Sequence, residues 1–306
     1  MTTDRRRLPL SFRRSETTSA ERESQGERTA AGGKEMAFPD RPVTSRIALV
    51  RVRKQFESQT GTVTAVEDIS LHIPEGKFFV IVGPSGCGKT TILRMLAGLD
   101  HVTSGEIRVS AGRDGRPLNS MVFQGDALLP WMTLRDNVAY GLRMRRVPRN
   151  TIREVVDHYL AMAGLRDFAD SYPHQVSGGM RQRASIARAF SNDPEILLMD
   201  EPFSQLDEQN RLLLQQELLR LWEASRKTVV FITHSVDEAI ALGDTIMVMT
   251  ARPGRLKSLL DVPFDRPRDV FSMRVTRQYL EFADQIWREL REEVEKARWL
   301  EERSVR

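Results

Sequence analysis

From Ile47 onward, apolar and polar residues alternate to about Val52 and again near Val66 to Ile73, the period of half-buried strands. Phe78 to Val82 is an uninterrupted apolar run, which reads as a strand buried on both faces. A glycine-rich turn and a helix-like run, Thr90 to Ala97, follow it. Thr133 to Ser171 is helical in pattern, with no strong strand inside it. Ile196 to Met199 and Val229 to Ile232 look like interior strands of a parallel sheet, each followed by a polar stretch and then helix. Strands alternating with helices predict an α/β fold, with the helical middle inserted into it. Near the end, Leu280, Ala283, Ile286 or Trp287, Leu290, Val294 and Ala297 recur along one helical face. Glu292 and Lys296 are spaced there as a supporting pair. This tail predicts an amphipathic helix docked on its own domain. The expected divisions are a polar extension over 1–45, a folded region over 46–267 with a helical insertion at about 125–190, and a helical tail over 268–306.

Composition narrows the picture. A chain of 306 residues holds two domains on a prior of ~150 residues each, or one domain with loose ends. Hydrophobic residues at 40% and charged residues at 29% fit a globular protein, and no apolar run nears the ~18 residues of a membrane helix. A single cysteine, Cys87, excludes an intramolecular disulfide and a Cys-x-x-Cys zinc site, and fits a reducing compartment. The net charge of +4 comes from 39 Arg and 7 Lys dispersed along the chain, whereas a nucleic-acid binder gathers its charge on one stripe. Nucleic acid is therefore not expected as a partner. Residues 1–35 are rich in Arg, Glu, Ser and Thr and poor in residues that bury surface, so disorder is expected there. Arg5, Arg6 and Arg7 are followed by no apolar segment, so export is not expected, and Met36 offers an alternative start for the foldable sequence.

The strongest chemical signal is Gly83-Pro84-Ser85-Gly86-Cys87-Gly88-Lys89-Thr90, which fits G-x-x-x-x-G-K-[ST] between a strand and a helix. Its glycines let the backbone wrap a polyphosphate, with amides and a helix N-terminus supplying positive potential. Lys89 would reach the β and γ phosphates, and the Thr90 hydroxyl would ligate Mg²⁺. The apolar run at Ile196 ends in Asp200-Glu201: Asp200 suits holding Mg²⁺ through its bound water, and Glu201 suits orienting or deprotonating an attacking water. Together they point to NTP hydrolysis. Ser177-Gly178-Gly179 opens a second helix with bare amides, which one nucleotide already held by the first loop does not need. A head-to-tail pair of chains resolves this, each Ser-Gly-Gly turn capping the γ phosphate held by the other; read alone, the stretch fits an ordinary helix cap equally well.

With these motifs in this order, residues from about Ile47 to Pro267 resemble the nucleotide-binding subunit of ATP-binding cassette (ABC) transporters. The resemblance implies a RecA-like P-loop NTPase core with a mainly parallel sheet, an N-terminal antiparallel β subdomain and an inserted helical subdomain. It implies ATP and Mg²⁺, with Thr91 and Asp207 joining the phosphate loop and the Ser177-Gly178-Gly179 turn in nucleotide binding. Phe56 is similar to the aromatic that stacks on adenine, the other reading being a core phenylalanine. Gln124, after the strand-like Met121-Val122-Phe123, resembles the glutamine that contacts Mg²⁺ and water, and His234 the histidine that contacts the γ phosphate. Implied partners are a second copy, transmembrane permease subunits and, indirectly, a solute-binding protein. The implied place is peripheral, on the cytoplasmic face of the cell membrane.

The chain also departs from the family pattern. Gln205 stands in Ser204-Gln205-Leu206-Asp207 where alanine is usual, Gly125-Asp126 replaces an acidic residue directly after Gln124, and Ser235 follows the histidine in place of aspartate. Ala127-Leu128-Leu129-Pro130-Trp131, the stretch from Thr233 to Ala239, and Ala251-Arg252-Pro253-Gly254-Arg255 most resemble importers of the nitrate, sulfonate and taurine group. Leu128 to Trp131 reads either as part of a groove for a permease helix or as a core-facing turn. Cys87, near Lys89 and a helix start, reads either as a reactive low-pKa thiol or as a small apolar filler. A soluble ABC ATPase acting on ribosomes or DNA is the alternative class. It is disfavoured because one cassette is present and the roughly fifty residues between Gln124 and Ser177 are too few for a long coiled coil. The Asn-Lys-x-Asp motif of a GTPase is absent from the sequence.

Overall fold

The apolar runs form the middle of a six-stranded sheet. The computed structural model describes residues 45–58, 61–110, 115–125, 127–204 and 206–304; the expected polar extension up to residue 44, Asp126 and Gln205 lie outside the described residues, and Ser45, the last residue of that extension, opens the first strand. In chain order the elements are β1 (Ser45–Ser58), β2 (Gly61–Pro74), β3 (Phe78–Val82), α1 (Lys89–Leu96), β4 (Ser104–Val109), β5 (Asn119–Val122), α2 (Leu134–Met144), α3 (Arg149–Met162) and α4 (Gly178–Ser191). They continue with β6 (Ile196–Asp200), α5 (Glu208–Ser225), β7 (Thr228–Ile232), α6 (Val236–Leu242), β8 (Thr245–Met249), β9 (Leu256–Asp261), α7 (Val270–Met273) and α8 (Arg277–Ser304).

The large sheet runs β5-β6-β7-β3-β8-β9, parallel except for the β8–β9 pair. Every residue of β3, β6 and β7 is buried, as expected of strands covered on both faces. Successive residues of β3 serve different cores: Phe78, Val80 and Val82 join α5, α6 and α8 on one face, while Phe79 and Ile81 join α1 and the small sheet on the other. That small sheet is antiparallel, ordered β2-β1-β4. Strands β4, β8 and β9 go beyond the sequence pattern. Exposed residues dominate β4, and β9 is a half-exposed edge, so neither carries a clean alternation.

Trp222 anchors the core beneath β3. Its ring meets Phe78 edge-on at 5.6 Å, and its indole N–H donates to the Lys227 carbonyl at 2.7 Å. Helices α2, α3 and α4 form a separate cluster around Leu134, Val138, Leu160 and Ala184. Arg268 is buried and donates to the carbonyls of Ile240, Ala241 and Gly243, filling the acceptors at the end of α6. Desolvation brings its guanidinium down to about 10.

Helix α8 packs on α6 and β8 with a face slightly rotated from the expected one. Tyr279, Phe282, Ile286 and Leu290 are buried, whereas Leu280 and Trp287 are exposed. The rotation follows from Tyr279, whose hydroxyl reaches the Asp237 carboxylate on α6. The expected Glu292–Lys296 pair does not form: Lys296 meets Glu293 at 3.1 Å, and Glu292 meets Lys257 at 3.1 Å.

Candidate functional site

The turn after β3 runs into α1 and bounds a cleft of about 630 Å³. Ser85, Gly86, Gly88, Lys89, Thr90 and Thr91 line it. Gly88 sits at φ 102°, and a Cβ there would lie 2.8 Å from the Ala65 carbonyl oxygen, so the position requires glycine twice over. Buried Lys89 donates to the carbonyls of Gly83 and Pro84 at 2.9 and 3.0 Å, holding its ammonium inside the curl of the loop. Phe56 lines the same cleft and is 41% exposed, opposite Val63 in the β1–β2 register, and Lys54 lies over its ring. It is not a core residue.

Parallel topology brings the remaining groups together, because β3, β5, β6 and β7 all end on the cleft side. Thr90 donates to Asp200 at 3.1 Å. Burial raises the Asp200 carboxyl above its ordinary range, and the nearby Glu201 charge adds to that against the pull of the Thr90 hydrogen bond and Lys89. Glu201 follows at φ 44°, a left-handed conformation costly for a non-glycine residue, with its amide fixed on the Ile232 carbonyl at 3.0 Å. One of its oxygens, Oε2, receives the Gln124 amide nitrogen at 3.0 Å and stands 3.3 Å from His234 Nδ1. Three residues named from separate stretches of sequence thus meet at one atom. Ser235, where aspartate is usual, caps α6 by accepting from the Glu238 amide at 3.3 Å, a role that serine fills as well as aspartate.

Ser177, Gly178, Gly179 and Asp207 do not line this cleft. Ser177 caps α4 by accepting from the Met180 amide, and Asp207 caps α5 by accepting from the Asn210 amide at 3.0 Å. The Asn210 amide is also the chief cause of the lowered Asp207 carboxyl. The Leu128 to Trp131 stretch divides between its two readings. Leu128 is buried with the α2–α4 cluster, and Trp131 is 70% exposed. Buried Asn137 ties the turn by donating to the carbonyls of Leu129, Met132 and Thr133.

Sequence reading missed one contributor. The loop after β8 approaches the phosphate loop so closely that a Cβ on Gly254 would lie 1.9 Å from the Cys87 carbonyl oxygen. Arg252 from this loop lines the cleft and donates through Nε and Nη2 to the Gly86 carbonyl, each at 3.2 Å. Of the two readings of Cys87, the small apolar filler fits and the low-pKa thiol does not. Its side chain is fully buried, and burial pushes the thiol up by more than Lys89 and the local amides pull it down. Native protein is therefore expected to react slowly with iodoacetamide and to label fully only in denaturant. Rapid stoichiometric labelling of folded protein, followed by mass spectrometry, would contradict this assignment.

Comparison with known proteins places this geometry. An uncharacterized ABC transporter ATP-binding protein of Methanocaldococcus jannaschii is 44% identical over 258 residues, 82% of this chain and 94% of that protein. The chain belongs to the ABC transporter family. The family model described as ABC transporter matches residues 66–204, spanning the phosphate loop and Asp200-Glu201. The nitrate import ATP-binding protein of Synechococcus elongatus is 42% identical, over 71% of this chain and 81% of its own. The taurine import ATP-binding protein of Roseobacter denitrificans is also 42% identical, over 71% and 82%. The solved dimer of an ATP-binding cassette in a post-hydrolysis state, bound to ADP and phosphate, is 32% identical, with a TM-score of 0.63 over 72% of this chain and all of that one. As an ABC ATPase the chain binds and hydrolyses ATP. Among its described residues no helix is long and apolar enough to cross a membrane.

Proposed function

We propose that this chain powers an importer of a small anion or organosulfur solute of the nitrate, sulfonate and taurine kind, as a peripheral subunit on the cytoplasmic face of the membrane. The observation that carries the hydrolytic part is the meeting of Gln124 and His234 on Glu201 Oε2 at the mouth of the phosphate-loop cleft. The import subunits among the relatives support transport over action on ribosomes or DNA.

In this reading Phe56 stacks on adenine, while the loop amides and Lys89 hold the phosphates. Glu201 orients a water and takes its proton, with Gln124 and His234 fixing the carboxylate against rotation. The hydroxyl of Thr90, the carboxylate of Asp200 and the amide oxygen of Gln124 form a hard-oxygen set that fits Mg²⁺, and the buried Asp200 gains a counter-charge from it. Bound there, Mg²⁺ would neutralise phosphate charge. Ser177, Gly178 and Gly179 are absent from this cleft, which favours a second copy supplying them, and Asp207, across the pair. ATP then closes the pair and hydrolysis releases it, and the permease follows. The solute itself never meets this chain. Exposed Trp131, on the turn that follows Gln124, supplies an apolar contact for a permease helix.

Tagged Glu201→Gln protein, incubated with ATP and detergent-solubilised membranes of its host, is expected to retain a multi-spanning permease identifiable by mass spectrometry. Recovery of ribosomal proteins or DNA-repair factors instead would overturn the transport reading.

A further inference from the structure

We propose that Arg252 binds the phosphate chain of ATP, and that helix α8 holds it in place through the buried carboxylate of Glu293. The inference rests on reading the cleft as the ATP site, and it gives the C-terminal helix a role in that site.

Among the described residues, Lys89 and Arg252 are the lysine and arginine that line the cleft. Both rest on carbonyls of the same loop: Lys89 on Gly83 and Pro84, Arg252 on Gly86. A triphosphate brings several negative charges beside Glu201 and Asp200, more than one ammonium and one Mg²⁺ together would offset. Arg252 uses Nε and Nη2 on one shared acceptor; the other donors of its five-N–H fork have no partner among the described residues. The Arg252 loop also pairs with the wall of the cleft that carries Val63 and Ala65. Gly254 donates to the Ala65 carbonyl and accepts from the Glu67 amide, both at 2.9 Å. The loop that carries the guanidinium is therefore tied both to this wall and to the phosphate loop.

The same loop is held from behind by α8. Glu293 is 3% exposed and accepts from the Ala251 amide at 2.9 Å through one oxygen, directly before Arg252. Its other oxygen takes Lys257 at 3.0 Å and Lys296 at 3.1 Å. Burial opposes this charge, but the Ala251 amide and the two lysines outweigh it and hold the carboxyl below its ordinary range. Glu293 is a positioning residue: it reaches the nucleotide through the backbone of Ala251 and the side chain of Arg252.

The test is the affinity of the purified full chain for a fluorescent ATP analogue, with KM and kcat for ATP alongside. Arg252→Ala is expected to weaken binding about ten-fold, the size of one charge-assisted hydrogen bond, and to raise KM more than it lowers kcat. Arg252→Lys, which keeps the charge and loses the fork, should fall between the two. Glu293→Ala should weaken binding a few-fold, while Glu293→Gln, which still accepts from Ala251, should bind within about two-fold of the parent. The double variant Arg252→Ala/Glu293→Ala should bind no more weakly than Arg252→Ala alone, because both act through one contact. If Glu293→Ala fails to fold in a thermal melt, the Gln variant and Arg252→Ala decide. Parental affinity in Arg252→Ala, or additive losses in the double variant, would overturn the proposal. Lys89→Ala serves as the control: if it keeps parental affinity, the cleft reading fails. If Lys89→Ala loses affinity and Arg252→Ala does not, only this inference fails.

Discussion

Lys89→Ala is expected to abolish ATP turnover, with a loss of at least about 10²-fold to 10³-fold in phosphate release. The size follows from position. The ammonium is buried inside the curl of the phosphate loop on the Gly83 and Pro84 carbonyls, so a bound phosphate would meet it with little competing water. Losing a charge-assisted hydrogen bond at such a site costs about 1.5–3 kcal/mol in affinity, or roughly ten-fold to a hundred-fold in Kd. The two loop carbonyls also lose their donor, so the empty loop itself is less well held. Lys89→Arg should rescue little, since a planar fork cannot occupy the point between two carbonyls that a compact ammonium fills. Nucleotide titration and single-turnover phosphate release measure the two losses separately. Turnover retained in purified Lys89→Ala would remove the phosphate loop from the chemistry.

Much of this site was legible because its parts are local. A phosphate loop must be built from consecutive residues, so its eight positions, Gly83 to Thr90, carry their reason in their spacing. The strand before it was legible for a similar reason, since a fully covered strand such as β3 can hardly contain a polar residue. Asp200 and Glu201 stand out as charges ending an apolar run. Phe56, Gln124 and His234 are different. Each is an ordinary residue in its own stretch, and it was resemblance to a family that singled them out. The fold explains the grouping of Gln124 and His234, since strands β5 and β7 flank β6 and deliver both to Glu201.

What stayed hidden depends on contacts between distant stretches. Arg252 lies far from Gly86 in sequence, and no periodicity marks a loop residue that works through a single carbonyl. Its stretch read only as family texture. Cys87 stayed undecided for the opposite reason: its closeness to Lys89 in sequence favours a lowered pKa, while its burial beneath the loop, not legible in the sequence, works more strongly the other way. The helical phase of α8 was off because Tyr279 counts as half-polar in a pattern, yet its ring is buried and its hydroxyl finds Asp237. Glu293, a charge on the buried side of that helix, would be an error of patterning were it not satisfied by Ala251, Lys257 and Lys296.

Glu201→Gln is expected to bind ATP, to lose about 10²-fold to 10⁴-fold in turnover, and to persist as an ATP-bound dimer. The substitution keeps the shape of the side chain. An amide oxygen in the place of Oε2 can still accept from Gln124 and face His234 Nδ1, so the strained turn at φ 44° keeps its partners. What it loses is the ability to take a proton from water. It also removes a negative charge from the mouth of a cleft that must receive a triphosphate, so binding should be undiminished. If Ser177, Gly178 and Gly179 of a second copy complete the site, ATP that is bound and not cleaved leaves the two copies joined. Light scattering at saturating ATP should then report twice the mass of the chain, returning to one when nucleotide is removed. A monomer under those conditions would count against the shared site, and turnover within about ten-fold of the parent would count against Glu201 as the base. The dimer readout bears on the assembly once turnover is lost, so a monomer with turnover abolished isolates the shared site from the chemistry.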